Sequence, residues 1–65
     1  MTLPELVESY INGNITDCRK SARNRSTNAL IDAFIEWGGY SMNKAVLTAA
    51  FLKTGEGWQA ACDAD

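Results

Sequence analysis

Four of the six basic side chains, Arg19, Lys20, Arg23 and Arg25, fall within seven consecutive positions. Arg19 and Arg23 stand four apart, so on a helix they share a face, with Lys20 beside them. Guanidinium and ammonium groups gathered in this way suit an anion: a phosphate, RNA or an acidic protein surface. The placement equally suits a solvated face, because cations near a helix C-terminus interact well with the helix dipole. No aromatic residue interleaves the cluster, so stacking on single-stranded bases has no platform there.

Outside residues 17–28 the balance inverts, with seven acidic groups against two basic ones. Glu5 and Glu8 stand three apart, and Asp32 and Glu36 four apart. Each pair can share a helix face with Cβ atoms about 5–6 Å from one another. Carboxylates so spaced can imitate successive phosphates toward a basic channel on another protein. A solvated face is the plainer reading, and Glu5 also suits a capping role. Asp32 and Glu36 as an acid–base pair would need a cleft that drives their pKa values apart. A chain of 65 residues has almost no room for one.

The rest of the chemistry is narrowed by what is missing. There is no histidine, which removes Ser-His-Asp and Cys-His catalysis and the commonest metal ligand. Cys18 and Cys62 lack CxxC spacing, and two thiolates do not complete a zinc site. Two reduced, mostly buried thiols are expected, with a structural disulfide as the other outcome. Gly55-Glu56-Gly57 is too short for a phosphate loop and no lysine follows it. The sequence therefore predicts no catalytic residues, no cofactor and no metal. Trp37 and Trp58 suit core packing or interface anchoring, and Trp58, flanked by Gly57 and Gln59, is the better exposed anchor.

These side chains must be positioned by helices. Leu3, Leu6, Val7, Tyr10 and Ile11 form one apolar stripe, with Thr2 and Glu5 as a capping box and Gly13 as a left-handed stop. That predicts a helix over about 3–12. Ile15, Cys18, Ala22 and Ala29 continue at helical spacing to Phe34 and Trp37, with Asn14 or Thr16 as cap. The polar run from Arg23 to Asn28 holds weak helix formers and good caps. It predicts a break near Ser26 and helices over about 15–24 and 28–37, one unbroken helix being the alternative. Gly38-Gly39 ends the run and Ser41 caps the next helix, over 41–53. That helix is apolar nearly all round, which places it at the centre of the fold or makes it half of an interface between two copies. Trp58 to Cys62 closes the chain with a short turn before the acidic Asp63 and Asp65. No alternating run suggests a strand. The expected fold is all-α, a single domain over 1–65 built as a compact bundle of four to five short helices.

Such a domain buries only about 60% of the surface of its unfolded chain, so it gains much from a partner. A net charge of −2 and a pI of about 4.9 argue against coating nucleic acid. No apolar run approaches membrane-spanning length. The first residues, MTLPELVESY, carry two glutamates and no basic region, unlike a signal peptide, and the expected location is cytoplasmic.

As a whole, compact, helical, without catalytic residues and with acidic pairs such as Asp32/Glu36 segregated from Arg19–Arg25, the chain resembles the small acidic anti-CRISPR proteins that phages encode. The resemblance implies a stoichiometric inhibitor that binds a CRISPR effector complex of the Cascade type and blocks its nucleic-acid channel. Three expectations follow. The first is a non-catalytic protein-binding module whose contacts are Glu5, Glu8, Asp32, Glu36 and Trp58. The second is a small helical DNA-binding regulator that uses Arg19, Lys20, Arg23 and Arg25, although the acidic C-terminal end would repel DNA. An enzyme comes third.

Overall fold

Three serine or threonine hydroxyls start three of the helices by accepting amide protons that no carbonyl can reach. The computed structural model describes residues 1–64, and Asp65 of the acidic end lies outside them. The helices are α1 (Leu3–Ile11), α2 (Ile15–Ala22), α3 (Thr27–Glu36), α4 (Met42–Thr54) and α5 (Trp58–Asp63). At α1 the capping box is complete: the Thr2 amide donates to Glu5 Oε1 at 3.0 Å, and the Glu5 amide donates to Thr2 Oγ1 at 3.4 Å. Ser26 Oγ accepts from the Ala29 amide at 3.1 Å, and Ser41 Oγ accepts from the Lys44 amide at 3.2 Å.

Ser26 itself is extended, with φ −73° and ψ 151°. That conformation cannot continue a helix, so α2 and α3 are separate and the unbroken alternative is excluded. The helix expected over 15–24 ends at Ala22, because Asn24 and Arg25 turn back to bond the carbonyls of Ser21 and Ala22. Asn14 occupies the N-cap of α2 without a side-chain cap bond. The class is all-α, as the spacing of apolar residues requires.

The core draws on every helix. Leu6, Val7 and Tyr10 come from α1, Cys18 and Ala22 from α2, and Leu30, Ala33 and Phe34 from α3. Helix α4 adds Ala45, Ala49, Phe51 and Leu52, and α5 adds Ala61. Helix α4 is central, packing against α2, α3 and α5, while α1 lies on α2 and α3. Its small Ala45 and Ala49 let neighbouring backbones approach. Its outer side nevertheless leaves Met42 and Val46, four apart, exposed at 63% and 41%. A helix apolar all round is thus central and also carries an apolar stripe outward. Among the described residues no helix is long and apolar enough to cross a membrane.

Helices α2 and α4 cover each other's C-termini. Lys53 Nζ donates to the carbonyls of Ala22 and Arg25, at the C-terminal end of α2. The Arg19 guanidinium lies over Gly55, the left-handed cap of α4 at φ +80°. Each cation sits at the negative end of the other helix's dipole. Cys18 is buried and its thiol donates to the Leu6 carbonyl at 3.4 Å, whereas Cys62 is exposed. Both are free, so the expectation of mostly buried thiols is corrected at Cys62. It lies on the outer side of α5, a helix of only six residues.

The turn after α3 depends on Gly38. The Phe34 carbonyl accepts from both the Gly38 and Tyr40 amides, each at 3.1 Å. A Cβ on Gly38 would come 2.7 Å from that oxygen and 3.3 Å from Val7 Cγ1. The first obstacle is backbone and cannot swing away. Gly38→Ala is therefore expected to lower unfolding free energy by about 1–3 kcal/mol, measured by urea denaturation. An unchanged midpoint would show that the turn has slack.

Candidate functional site

The four basic residues do not form one face. Arg19 is half-buried with its guanidinium on Gly55, and its Nε is buried without a hydrogen-bond partner. Arg25 is partly buried and donates to Ser21 Oγ at 3.4 Å and to the Met1 carbonyl. Lys20 and Arg25 line one broad basin with Asp17, Ser21 and Asn24. Arg23 is exposed at the end of α2. Two of the four cations are thereby committed to contacts inside the protein, and Asp17 stands at the rim of the basin that remains.

The paired carboxylates lie on other helices. Asp32 and Glu36 are both exposed on α3, one turn apart. Glu5 and Glu8 are exposed on α1 and line a shallow depression together with Ser9 and Asn12. The Thr2 amide, and then its hydroxyl, hold the Glu5 carboxyl below the usual carboxylate range, so it stays ionised while it caps the helix. The two pairs are presented on different helices, and α1 packs on α3.

A third region carries the largest rings. Tyr10 meets Phe34 edge-on at 5.2 Å and Trp58 edge-on at 6.0 Å. Tyr40 stacks on Phe34 at 5.3 Å, and Phe51 meets Trp58 at 5.1 Å. Between these rings opens a hollow of about 250 Å³, lined by Tyr10, Ile11, Tyr40, Lys44, Trp58 and Cys62. Trp58 is 45% exposed and Ile11 56%. Trp37 is 49% exposed, so both tryptophans are half in water and neither is a core residue. Lys44 Nζ sits 4.7 Å over the Tyr40 ring.

Of these lining residues, sequence reasoning singled out only Trp58. Ile11 was visible as the last member of the α1 stripe, and as the final residue of α1 it is short of neighbours. Tyr40 and Lys44 stand four apart across the Ser41 cap, a spacing that brings a ring and an ammonium together. Tyr10 belongs to the same stripe; it is buried and also lines the hollow.

Burial pushes the Tyr10 phenol up to about 12. The Thr48 hydroxyl beside it pulls slightly the other way, yet Thr48 Oγ1, fully buried, has no well-aligned hydrogen-bond partner of its own. Tyr40 is raised too, again by burial. No family model, no curated protein and no solved structure matches the chain.

The Tyr10 shift sets a pH dependence. Its folded pKa lies above the unfolded value near 10, so its contribution is complete below about pH 10 and is lost as pH rises through about 12. Wild-type stability is expected to fall by up to about 2 kcal/mol over that window through this group. Tyr10→Phe, which has nothing to ionise there, should decline less steeply in denaturant unfolding followed from pH 9 to 12. Parallel profiles for the two proteins would contradict the buried-phenol reading.

Proposed function

We propose that the protein is a small, non-catalytic protein-binding module that acts in the cytoplasm as a stoichiometric inhibitor, as its resemblance to small acidic phage-encoded anti-CRISPR proteins implies. Its target on this reading is a CRISPR effector complex of the Cascade type. It binds at or near the basic channel and denies nucleic acid its place. The observation that carries the reading is the division of charge on the surface. Asp32, Glu36 and Glu8 are exposed, while Arg19 and Arg25 are drawn into contacts with the protein's own backbone and side chains.

That division bears on the DNA-binding alternative as well. A protein that reads duplex DNA needs its cations free to reach phosphates. Here Lys20 and Arg23 are the members of the cluster most open to solvent, and acidic surface lies on α1 and α3. Carboxylates near a basic partner act mainly by speeding the encounter, so their effect is read in the association rate and in its dependence on salt.

The test is the rate at which an immobilised Cascade-type complex captures the protein. Asp32→Lys with Glu36→Lys should slow association about tenfold at low salt and flatten its salt dependence. Lys20→Glu with Arg23→Glu should leave it unchanged or faster. Arg19 is unsuitable as the basic control because its guanidinium packs on Gly55. Each variant is first checked for an unchanged helical spectrum. Normal capture by the acidic reversals, with loss in the basic ones, would overturn the mimicry and make α2 the contact surface. A steeply salt-sensitive complex of the wild type with duplex DNA alone would establish the DNA-binding alternative.

A further inference from the structure

The hollow between α1, the turn after α3, α4 and α5 has a composition unlike the rest of the surface. Its walls are the rings of Tyr10, Tyr40 and Trp58 with the aliphatic Ile11 and Ala61, and among the described residues its one charged group is Lys44. Among the described residues no carboxylate lines it. The Lys44 ammonium lies on the Tyr40 ring, an interaction worth about 0.5–1 kcal/mol where water has access, and a neutral ring supplies no counter-charge. Ile11 and Trp58 stand half in water at the rim, where covering them would recover apolar burial.

Size narrows the ligand further. Pockets that take drug-sized molecules span about 300–1,000 Å³, while an enclosed apolar cavity of about 150 Å³ accepts a benzene ring. At about 250 Å³ the hollow has room for one bulky side chain. The Tyr10 wall is fixed in place by edge-on contacts with Phe34 and Trp58. A preformed pocket that takes one anchor residue is the usual form of a binding hot spot.

We propose that this hollow is the anchor site for a partner-protein segment in which a bulky aromatic or aliphatic side chain stands beside a carboxylate. The side chain enters between Tyr40, Trp58 and Ile11, and the carboxylate pairs with Lys44. This rests on the reading of the protein as a binding module and adds a second, oppositely charged contact to it. The acidic pairs face a basic region of the partner, and the hollow takes an acidic–apolar element from it.

The proposal is testable on the free protein, with no partner in hand. Indole-3-acetate carries the ring and the anion, tryptamine carries the same ring with a cation, and acetate carries the anion alone. Amide and indole NMR shifts are followed as each is added. Indole-3-acetate should move Trp58, Ala61, Cys62 and Lys44 in a saturable way with a Kd of about 1 mM, a fragment-scale affinity. Tryptamine should bind at least about fivefold more weakly, and acetate should leave the Trp58 indole unmoved. Lys44→Met should bring indole-3-acetate down to the level of tryptamine. Trp58→Ala removes a wall and risks loosening α5, so Ile11→Glu, at an exposed helix end, is the second variant and should abolish binding. Equal binding of indole-3-acetate and tryptamine, shifts confined to other residues, or no saturable shift at 10 mM would each overturn the proposal. Those results leave the capture experiment on Asp32 and Glu36 standing, because that experiment reads a different face.

Discussion

Tyr10 touching Phe34 and Trp58 at once is the contact on which the rest of the molecule depends. Through Phe34 it is linked to Tyr40 and the glycine turn, and through Trp58 to Phe51 and α4. Four ring contacts thus tie α1, α3, α4 and α5 together, at roughly 0.5–1.5 kcal/mol each beyond area burial. In a chain of 65 residues this matters more than in a larger one, because burial and ordering entropy nearly cancel. Helix α5 illustrates the point. Six residues cannot hold a helix in isolation, and α5 persists through Trp58 on two rings and Ala61 in the core.

The same rings decide what the surface offers. Because Tyr10 and Phe34 fill the interior, Tyr40 and Trp58 are pushed to its edge and leave a hollow between them. The cations are distributed by the helix ends rather than by their position in the sequence. Lys53 and Arg19 serve the C-termini of α2 and α4, Arg25 holds Ser21 and Met1, and Lys44 lies on Tyr40. The carboxylates of α1 and α3 have no such duty apart from Glu5. The surface therefore presents the carboxylates of α1 and α3, the cations Lys20 and Arg23, and elsewhere an aromatic hollow that carries one ammonium.

Local chemistry made the helices legible. Thr2 with Glu5, Ser26 and Ser41 each mark a start, and all three caps form with the amides that their spacing implies. The break at Ser26 was legible for the same reason, since the run before it favours caps over helix interior. What a single strand of sequence could not show is where long side chains go. Arg19 and Arg23 stand one turn apart, yet one packs on Gly55, 36 positions later, and the other is in solvent. The hollow was invisible for a related reason. Its walls come from positions 10, 11, 40, 44 and 58 onward, and only the packing of α5 on α4 and of Trp58 on Tyr10 brings them together. Charge pairs within one helix, such as Asp32 and Glu36, were legible because their relation is set by helix geometry alone.

The central claim is that the rings act as one framework rather than as separate contacts, and a double-mutant cycle on Phe34→Leu and Trp58→Leu tests it most directly. Both residues touch Tyr10, so losing one frees Tyr10 to shift away from the other. Unfolding free energies of the two single variants and the double variant give the coupling. The framework predicts a coupling of at least about 0.5 kcal/mol, with the double variant less destabilised than the sum of the two singles. Strict additivity would contradict it, and would mean that α5 and the hollow are held independently of the core.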